Sequence, residues 1–217
     1  MERFKNRYEA GRLLAERLTP LKIEHPLVLA IPRGGAVVAH EVAHYLGADL
    51  DILVVKKIPS PWNPELAVGA VCADGRLWMN RRILDLLNIK STALKALVDE
   101  KAEEAHLQAR RLRGSRPIIP VQGRTVILID DGIATGATFS AAIELLRTQN
   151  PRKIIIASPV APASILEDLQ KISDEVICLR TPYHFYSVSD WYVDFPEVPD
   201  REVLRLLERG TAPEVHP

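Results

Sequence analysis

Two adjacent carboxylates, Asp130 and Asp131, close the apolar run Val126–Ile129. A turn of small residues follows them: Gly132, Ile133, Ala134, Thr135, Gly136, Ala137 and Thr138. A Thr/Gly-rich turn that opens a helix presents several backbone N–H groups and the positive end of the helix dipole, which together suit a phosphate. The hydroxyls of Thr135 and Thr138 add donors. Two carboxylates aimed at that phosphate would repel it, so they suit another part of the ligand, either vicinal hydroxyls or a bound metal. A sugar carrying a 5′-phosphate meets both demands. The turn has no Gly-Lys-Ser/Thr and no GxGxxG spacing, so it is neither a Walker A loop nor a dinucleotide fingerprint. An acidic phosphorylation site at a strand end remains open, although such sites usually follow an early strand and this pair lies past the midpoint.

Other residues could join this chemistry. Ile31-Pro32-Arg33-Gly34-Gly35 ends an earlier apolar run; its glycines permit close backbone approach, and Arg33 can bind an anionic oxygen or simply mark a strand-to-helix turn. Lys56 and Lys57 end a second run and face opposite ways. One of the two is expected to reach a ligand, and Lys56 is the choice. The stretch Ile58–Leu66 (IPSPWNPEL) holds three prolines in nine residues, which excludes a helix or central strand and reads as an exposed loop. Thr181–Pro196 concentrates six aromatics in a chain that is only 6% aromatic, as a core edge, an interface or the wall of a heterocycle pocket would. Cys72 and Cys178 lie in apolar runs and read as free thiols; no Cys or His spacing suggests a metal site.

The elements that must position these groups alternate. Short β-branched runs at Leu27–Ile31, Ile52–Lys56, Val68–Ala73, Thr125–Ile129, Lys153–Ser158 and Glu175–Leu179 read as strands. Helical patterns cover Arg7–Leu18, Ala36–Leu46, Ser91–Arg113, Ala137–Thr148, Ala163–Lys171 and Asp200–Arg209. The alternation predicts an α/β domain with a mainly parallel sheet. Of 217 residues, 47% are hydrophobic and 26% charged, which supports a full core and excludes disorder for most of the chain. Lys plus Arg number 28 and Asp plus Glu 28, a balance that argues against a general nucleic-acid binder. The start, MERFKNRYEAGR, is charged and lacks an apolar signal core, and no apolar run approaches the roughly 18 residues of a membrane span. A cytoplasmic protein without a membrane or nucleic-acid partner is expected.

VILIDDGIATGAT, residues 126–138, resembles the phosphoribosyl-pyrophosphate (PRPP) motif of the type I phosphoribosyltransferases in its apolar strand, acid pair and T-G-x-T turn. The order of elements is similar from about residue 26 to residue 180, and the IPRGG and NPELAVGAV segments resemble a less characterised bacterial branch. The resemblance implies a type I phosphoribosyltransferase fold in a single domain over residues 1–217. Its core would span about 26–180, and its small hood about 1–25 and 181–210. Asp130 and Asp131 would be catalytic by holding the ribose 2′- and 3′-hydroxyls and stabilising the positive sugar electrostatically, with a minor share in binding Mg²⁺, which PRPP itself would mainly hold. Ile133, Ala134, Thr135, Gly136, Ala137 and Thr138 would wrap the 5′-phosphate, and Arg33, Gly34 and Gly35 would form the pyrophosphate loop. Pro59–Leu66 lies where the family keeps a mobile flap, in which Glu65 handles a proton on the incoming base or makes a structural ion pair. Hypoxanthine/guanine-type relatives carry an acid at the position of Ala134, and alanine cannot take that proton. In the hood, Trp191 or Phe185 would stack on the base or pack the hood, and Asp194 would read an exocyclic amine or touch a metal.

The implied activity is Mg²⁺-dependent transfer of ribose 5-phosphate from PRPP to a nitrogenous base, a purine, in a homodimeric salvage enzyme. The rival readings are a non-catalytic PRPP- or nucleotide-sensing regulator on the same fold, and a hydrolase or phosphorylase of phosphorylated ribosides.

Overall fold

Buried strands in a parallel sheet are largely apolar on both faces, and four of the runs that read as strands, Leu27–Ile31, Thr125–Ile129, Lys153–Ser158 and Glu175–Leu179, lie in such a sheet. The computed structural model describes residues 2–63, 66–89 and 91–209. The central sheet contains β1 (Leu27–Ala30), β2 (Asp49–Ile52), β6 (Thr125–Ile129), β7 (Lys153–Val160) and β8 (Glu175–Arg180), in the order β2-β1-β6-β7-β8. Every pairing is parallel.

The period of two along each strand sorts the core into two layers. Ile127 and Ile129 of β6 pack with Val28, Ala30 and Ile155 under α1 (Arg7–Arg17), α2 (Gly34–Leu46) and α7 (Asp200–Arg209). Val126 and Leu128 face the other way, with Leu27, Leu29, Ile154 and Ile156, under α5 (Ala137–Arg147) and α6 (Ala163–Gln170). A second, antiparallel sheet of β3 (Val55–Pro59), β4 (Ala67–Cys72) and β5 (Leu77–Met79) stands beside the first. Its own small core of Ile58, Val68, Val71, Ile89 and Leu94 is completed by α3 (Arg81–Leu86) and α4 (Ser91–Arg113).

Two expectations change. The run Ile52–Lys56 is not one strand: the chain leaves the central sheet after Ile52, turns through Leu53 and Val54, and enters the second sheet at Val55. A continuous apolar, β-branched run gives no local sign of such a corner. The loop expected over Ile58–Leu66 starts later, because β3 runs to Pro59. The register against β4 shifts between Ile58 and Pro59, on an edge strand, where a residue without an N–H is tolerated.

One buried ion pair ties the two parts together. Asp51 of β2 accepts bonds from Arg113 at the end of α4 (2.8 Å), from the Ile52 N–H (2.8 Å) and from the Ile119 N–H (3.1 Å). Arg113 in turn donates to the Ile52 carbonyl at 2.8 Å. Removing one partner of such a pair strands a buried charge, so Arg113→Met is expected to cost about 3–5 kcal/mol. Urea unfolding checks this, and a loss below about 1 kcal/mol contradicts the ion-pair account.

Candidate functional site

The acid pair stands at the carboxyl end of β6, the edge where open α/β sheets bind ligands. Because β1 pairs with β6 up to Ala30 and Ile129, the turn after β1 must pass directly over the acids. The Ile31 N–H donates to the Ile129 carbonyl at 2.8 Å, and the Pro32–Arg33 peptide is cis. A Cβ on Gly34 would lie 1.8 Å from Asp131 Oδ2, and one on Gly35 would lie 2.8 Å from Asp130 Cα and from the Ile129 carbonyl oxygen. Only glycine permits the two turns to approach this closely.

The two carboxylates are held differently. Asp130 Oδ1 accepts the N–H of Asp131 at 2.8 Å. Burial, and then the charge of Asp131, push the Asp130 carboxyl well above the usual range; the Asp131 N–H and the Arg7 guanidinium offset this in part. Asp131 Oδ2 accepts Arg7 Nε at 2.7 Å, and the Asp131 carbonyl accepts the Tyr192 hydroxyl at 2.5 Å. Asn6 caps α1 by accepting the Glu9 N–H, which puts Arg7 in the first turn of that helix.

The loop after the acids opens α5 through Gly136, whose φ of +70° favours glycine. Ile133 is buried and its N–H is used by the Val160 carbonyl. By contrast, Ala134 and Thr135 are exposed, and the N–H groups of Ala134, Thr135 and Gly136 meet no backbone acceptor among the described residues. Thr135 Oγ1 accepts the Ala137 N–H at 3.4 Å, and Thr138 is exposed on the first turn of the helix. A run of main-chain donors therefore stands beside an acid pair and a glycine turn.

The sequence model of the phosphoribosyl transferase domain matches residues 5–195. The chain belongs to this family. A Mycobacterium tuberculosis H37Rv protein named "Putative phosphoribosyl transferase Rv0571c" is 40% identical over 210 residues, which cover 97% of this chain and 47% of that protein. The chain thus spans about half the length of this relative. The crystal structure of TT1426 from Thermus thermophilus is 40% identical, with a TM-score of 0.89 over 97% of this chain and 100% of the other. A ribose-phosphate pyrophosphokinase of Pyrococcus furiosus is 27% identical over 140 residues, 60% of this chain and 46% of its own.

Within this phosphoribosyl transferase domain, the structure places the remaining candidates unevenly. Arg33 reaches away from the acids: its guanidinium pairs with Glu197 and Asp200, each at 2.8 Å. Lys56, the lysine expected to face a ligand, points instead to Glu104 of α4 at 3.9 Å. Lys57 has the opposite face. It pairs in register with Ala70, which packs on Ala141 and Leu145 of α5, so Lys57 stands on the side of the helix that the loop after the acids opens. Trp191 is half-buried in a cluster with Phe4, Val160, Tyr192 and Phe195, and its buried indole nitrogen has no hydrogen-bond partner among the described residues. Glu65 lies outside the described residues.

Arg7 and Tyr192 were missed by the sequence reading. Arg7 sits in a charged stretch 124 residues from its partner, and nothing local distinguishes it from its neighbours. Tyr192 belongs to the aromatic segment, but no pattern singles out its hydroxyl. The hood they belong to is stitched by Phe4 and Lys5 along residues 191–194: Phe4 N–H to the Trp191 carbonyl at 2.9 Å, Val193 N–H to Phe4 at 2.8 Å and Asp194 N–H to Lys5 at 3.0 Å. A cavity of about 280 Å³ opens behind it, lined in part by Arg7, Val37, Asp194, Glu197 and Arg201.

The acid pair does not make a metal cage of its own. Among the described residues no three His, Cys, Asp or Glu side chains are grouped to hold an ion, and Asp131 Oδ2 is already bound to Arg7. This fits Mg²⁺, which commonly takes one or two carboxylates and completes its shell with substrate phosphates and water.

The raised Asp130 carboxyl gives a signed test. The folded protein holds this proton more tightly than the unfolded chain, so ionisation costs stability as pH rises from about 4 through the raised folded value. Asp130→Asn removes that cost. Thermal unfolding should show the variant more stable than wild type at neutral and higher pH, with the gap closing below about pH 4. A variant less stable at neutral pH overturns the assignment.

Proposed function

We propose that this protein transfers the 5-phosphoribosyl group of PRPP to a nitrogenous base, a purine in this reading, with Mg²⁺ and release of pyrophosphate. The observation that carries it is the meeting of three features at one end of the sheet: an acid pair, a glycine turn in contact with it, and a helix-opening loop in which three N–H groups meet no backbone acceptor among the described residues. The sequence likeness to a ribose-phosphate pyrophosphokinase supports a ribose phosphate as the ligand.

In this reading the N–H groups of Ala134, Thr135 and Gly136, with the Thr135 and Thr138 hydroxyls and the start of α5, bind the 5′-phosphate. Asp130 and Asp131 accept hydrogen bonds from the ribose 2′- and 3′-hydroxyls. The Gly34–Gly35 turn lies beside them and faces the pyrophosphate with main-chain N–H groups. As the C1–O bond to pyrophosphate breaks, positive charge grows on the ribose ring; the fixed carboxylates lie where that charge is stabilised. A base nitrogen then forms the new bond to C1. Asp130 or Asp131 would contribute to holding a Mg²⁺ brought with the pyrophosphate, which would supply neutralisation of the leaving group's charge. Exclusion of water falls to the segment after β3, where Trp62 is exposed, together with Glu65 as the expected proton carrier. Ala134 offers no acid for a 6-oxopurine proton, so the acceptor either brings a more acidic nitrogen or relies on such a second group.

Pyrophosphate release from PRPP and Mg²⁺, measured over a panel of purine and pyrimidine bases with a no-base control, tests this. Release that depends on a base is expected. PRPP binding without release on any base, or release without a base, would each sink the transferase reading.

The two lysines give a second test. Lys57→Met is expected to raise KM for PRPP about tenfold, the worth of one charge-assisted bond to phosphate. Lys56→Met should leave KM within about twofold, because an exposed pair to Glu104 carries little. Equal effects would show that the sheet face does not decide.

A further inference from the structure

Both ends of the described chain converge on Asp131. Arg7, from the first turn of α1, donates Nε to Asp131 Oδ2 at 2.7 Å and Nη1 to the Pro196 carbonyl at 2.7 Å. Its guanidinium lies 3.6 Å from the centre of the Phe195 ring. The side chains of this ion pair are only 9% and 13% exposed. Tyr192, held beside Phe4 and Phe195 with ring centres 5.5 and 4.8 Å away, donates its hydroxyl to the main chain of the same aspartate. The aspartate in turn touches the turn at Gly34.

From this convergence we infer that Arg7 is a positioning residue that couples the hood to ligand binding at the acid pair. The inference rests on the ribose-phosphate reading of the site. A guanidinium is a planar fork, and here its two arms serve different segments: one fixes a carboxylate of the candidate site, the other a hood carbonyl. A ribose hydroxyl that hydrogen-bonds Asp131 adds a partner to a carboxylate whose other partner is the hood. Binding then steadies residues 192–196, and an ordered hood steadies the carboxylate. Linkage makes the two effects equal in free energy.

A purely structural staple would look similar in a static view, but would behave differently. The packing of Arg7 on Phe195 can be kept by methionine, which has no charge and no fork. Lysine keeps the charge but cannot serve both acceptors in one plane. Tyr192→Phe removes the second tie and leaves Arg7 in place.

The experiment is calorimetry of PRPP binding in Mg²⁺, together with hydrogen exchange of residues 188–198 with and without PRPP. It uses wild type, Arg7→Met, Arg7→Lys and Tyr192→Phe, with the thermal midpoint of each. In wild type, PRPP is expected to slow exchange across the hood. Arg7→Met should weaken PRPP binding about tenfold or more and abolish the PRPP-dependent slowing, and Arg7→Lys should recover part of the affinity. If Arg7→Met does not fold, Arg7→Lys decides: undiminished hood protection by PRPP in that variant overturns the coupling. Arg7→Met with wild-type affinity and protection overturns it too, as does a loss in all three variants that simply tracks the fall in thermal midpoint. Failure of the wild type to bind PRPP removes the ribose-phosphate reading and this inference together. Wild-type binding with an unaffected Arg7 variant removes this inference alone.

Discussion

Two neighbouring carboxylates at the end of a buried strand repel each other and resist leaving water, and the structure around β6 is arranged around that cost. Asp130 and Asp131 differ in how it is met. Asp130 is pushed toward its neutral form by burial and by the charge next to it. Asp131 is bound to a guanidinium brought from the far end of the sequence. A protein built for stability alone would not place them there; a local sacrifice of this kind marks a site where stability is traded for binding. The glycine turn belongs to the same constraint. A Cβ at Gly34 would lie 1.8 Å from Asp131 Oδ2, so any larger residue in the turn would displace that carboxylate from where Arg7 holds it.

That constraint fixes what the rest of the fold must do. β1 and β6 must be neighbours, and they are. α1 must start where Arg7 can reach across the carboxyl end of the sheet, and Asn6 sets that start by capping the helix. The chain after β8 must return over the same edge to supply Tyr192, Phe195 and the Pro196 carbonyl. Its path is held by the stitch of Phe4 and Lys5 along residues 191–194, and Gly132 lets Val188 close against the acid loop.

The fold class was legible because each layer obeys its own period. Val126–Ile129 is apolar throughout and became, with Thr125, a central strand; Ser91–Arg113 and Asp200–Arg209 kept a helical stripe and formed helices with the expected bounds. What stayed hidden was set by tertiary context. Leu53 and Val54 look like strand interior, yet they are the corner between two sheets. β5 has three residues and α3 has six, too few for a period to emerge. In the site, the acid pair and its loop carry local signatures. Arg7 carries none, since its role comes from a partner 124 residues away. The choice between Lys56 and Lys57 depended on which face of β3 meets α5, and alternation alone says only that the two differ.

The two buried Arg–Asp pairs show how a structural tie differs from a functional one. Around Asp51, Arg113 and two main-chain N–H groups occupy both carboxylate oxygens, and Arg113 also satisfies the Ile52 carbonyl. That carboxylate is 4% exposed at the residue level, and its hydrogen-bonding capacity is spent on holding α4 to β2. Asp131 has the same partner type at a similar distance, but besides Arg7 Nε its carboxylate meets only the neighbouring Asp130 side chain among the described residues, and no main-chain N–H. Its side chain is 13% exposed, beside a loop in which the N–H groups of Ala134, Thr135 and Gly136 meet no backbone acceptor among the described residues. A carboxylate held in place on one side and open on the other is oriented without being saturated. In the proposed reading, a ribose hydroxyl would bind it without first breaking its tie to the protein, and that combination, rather than the charge itself, would carry the recognition.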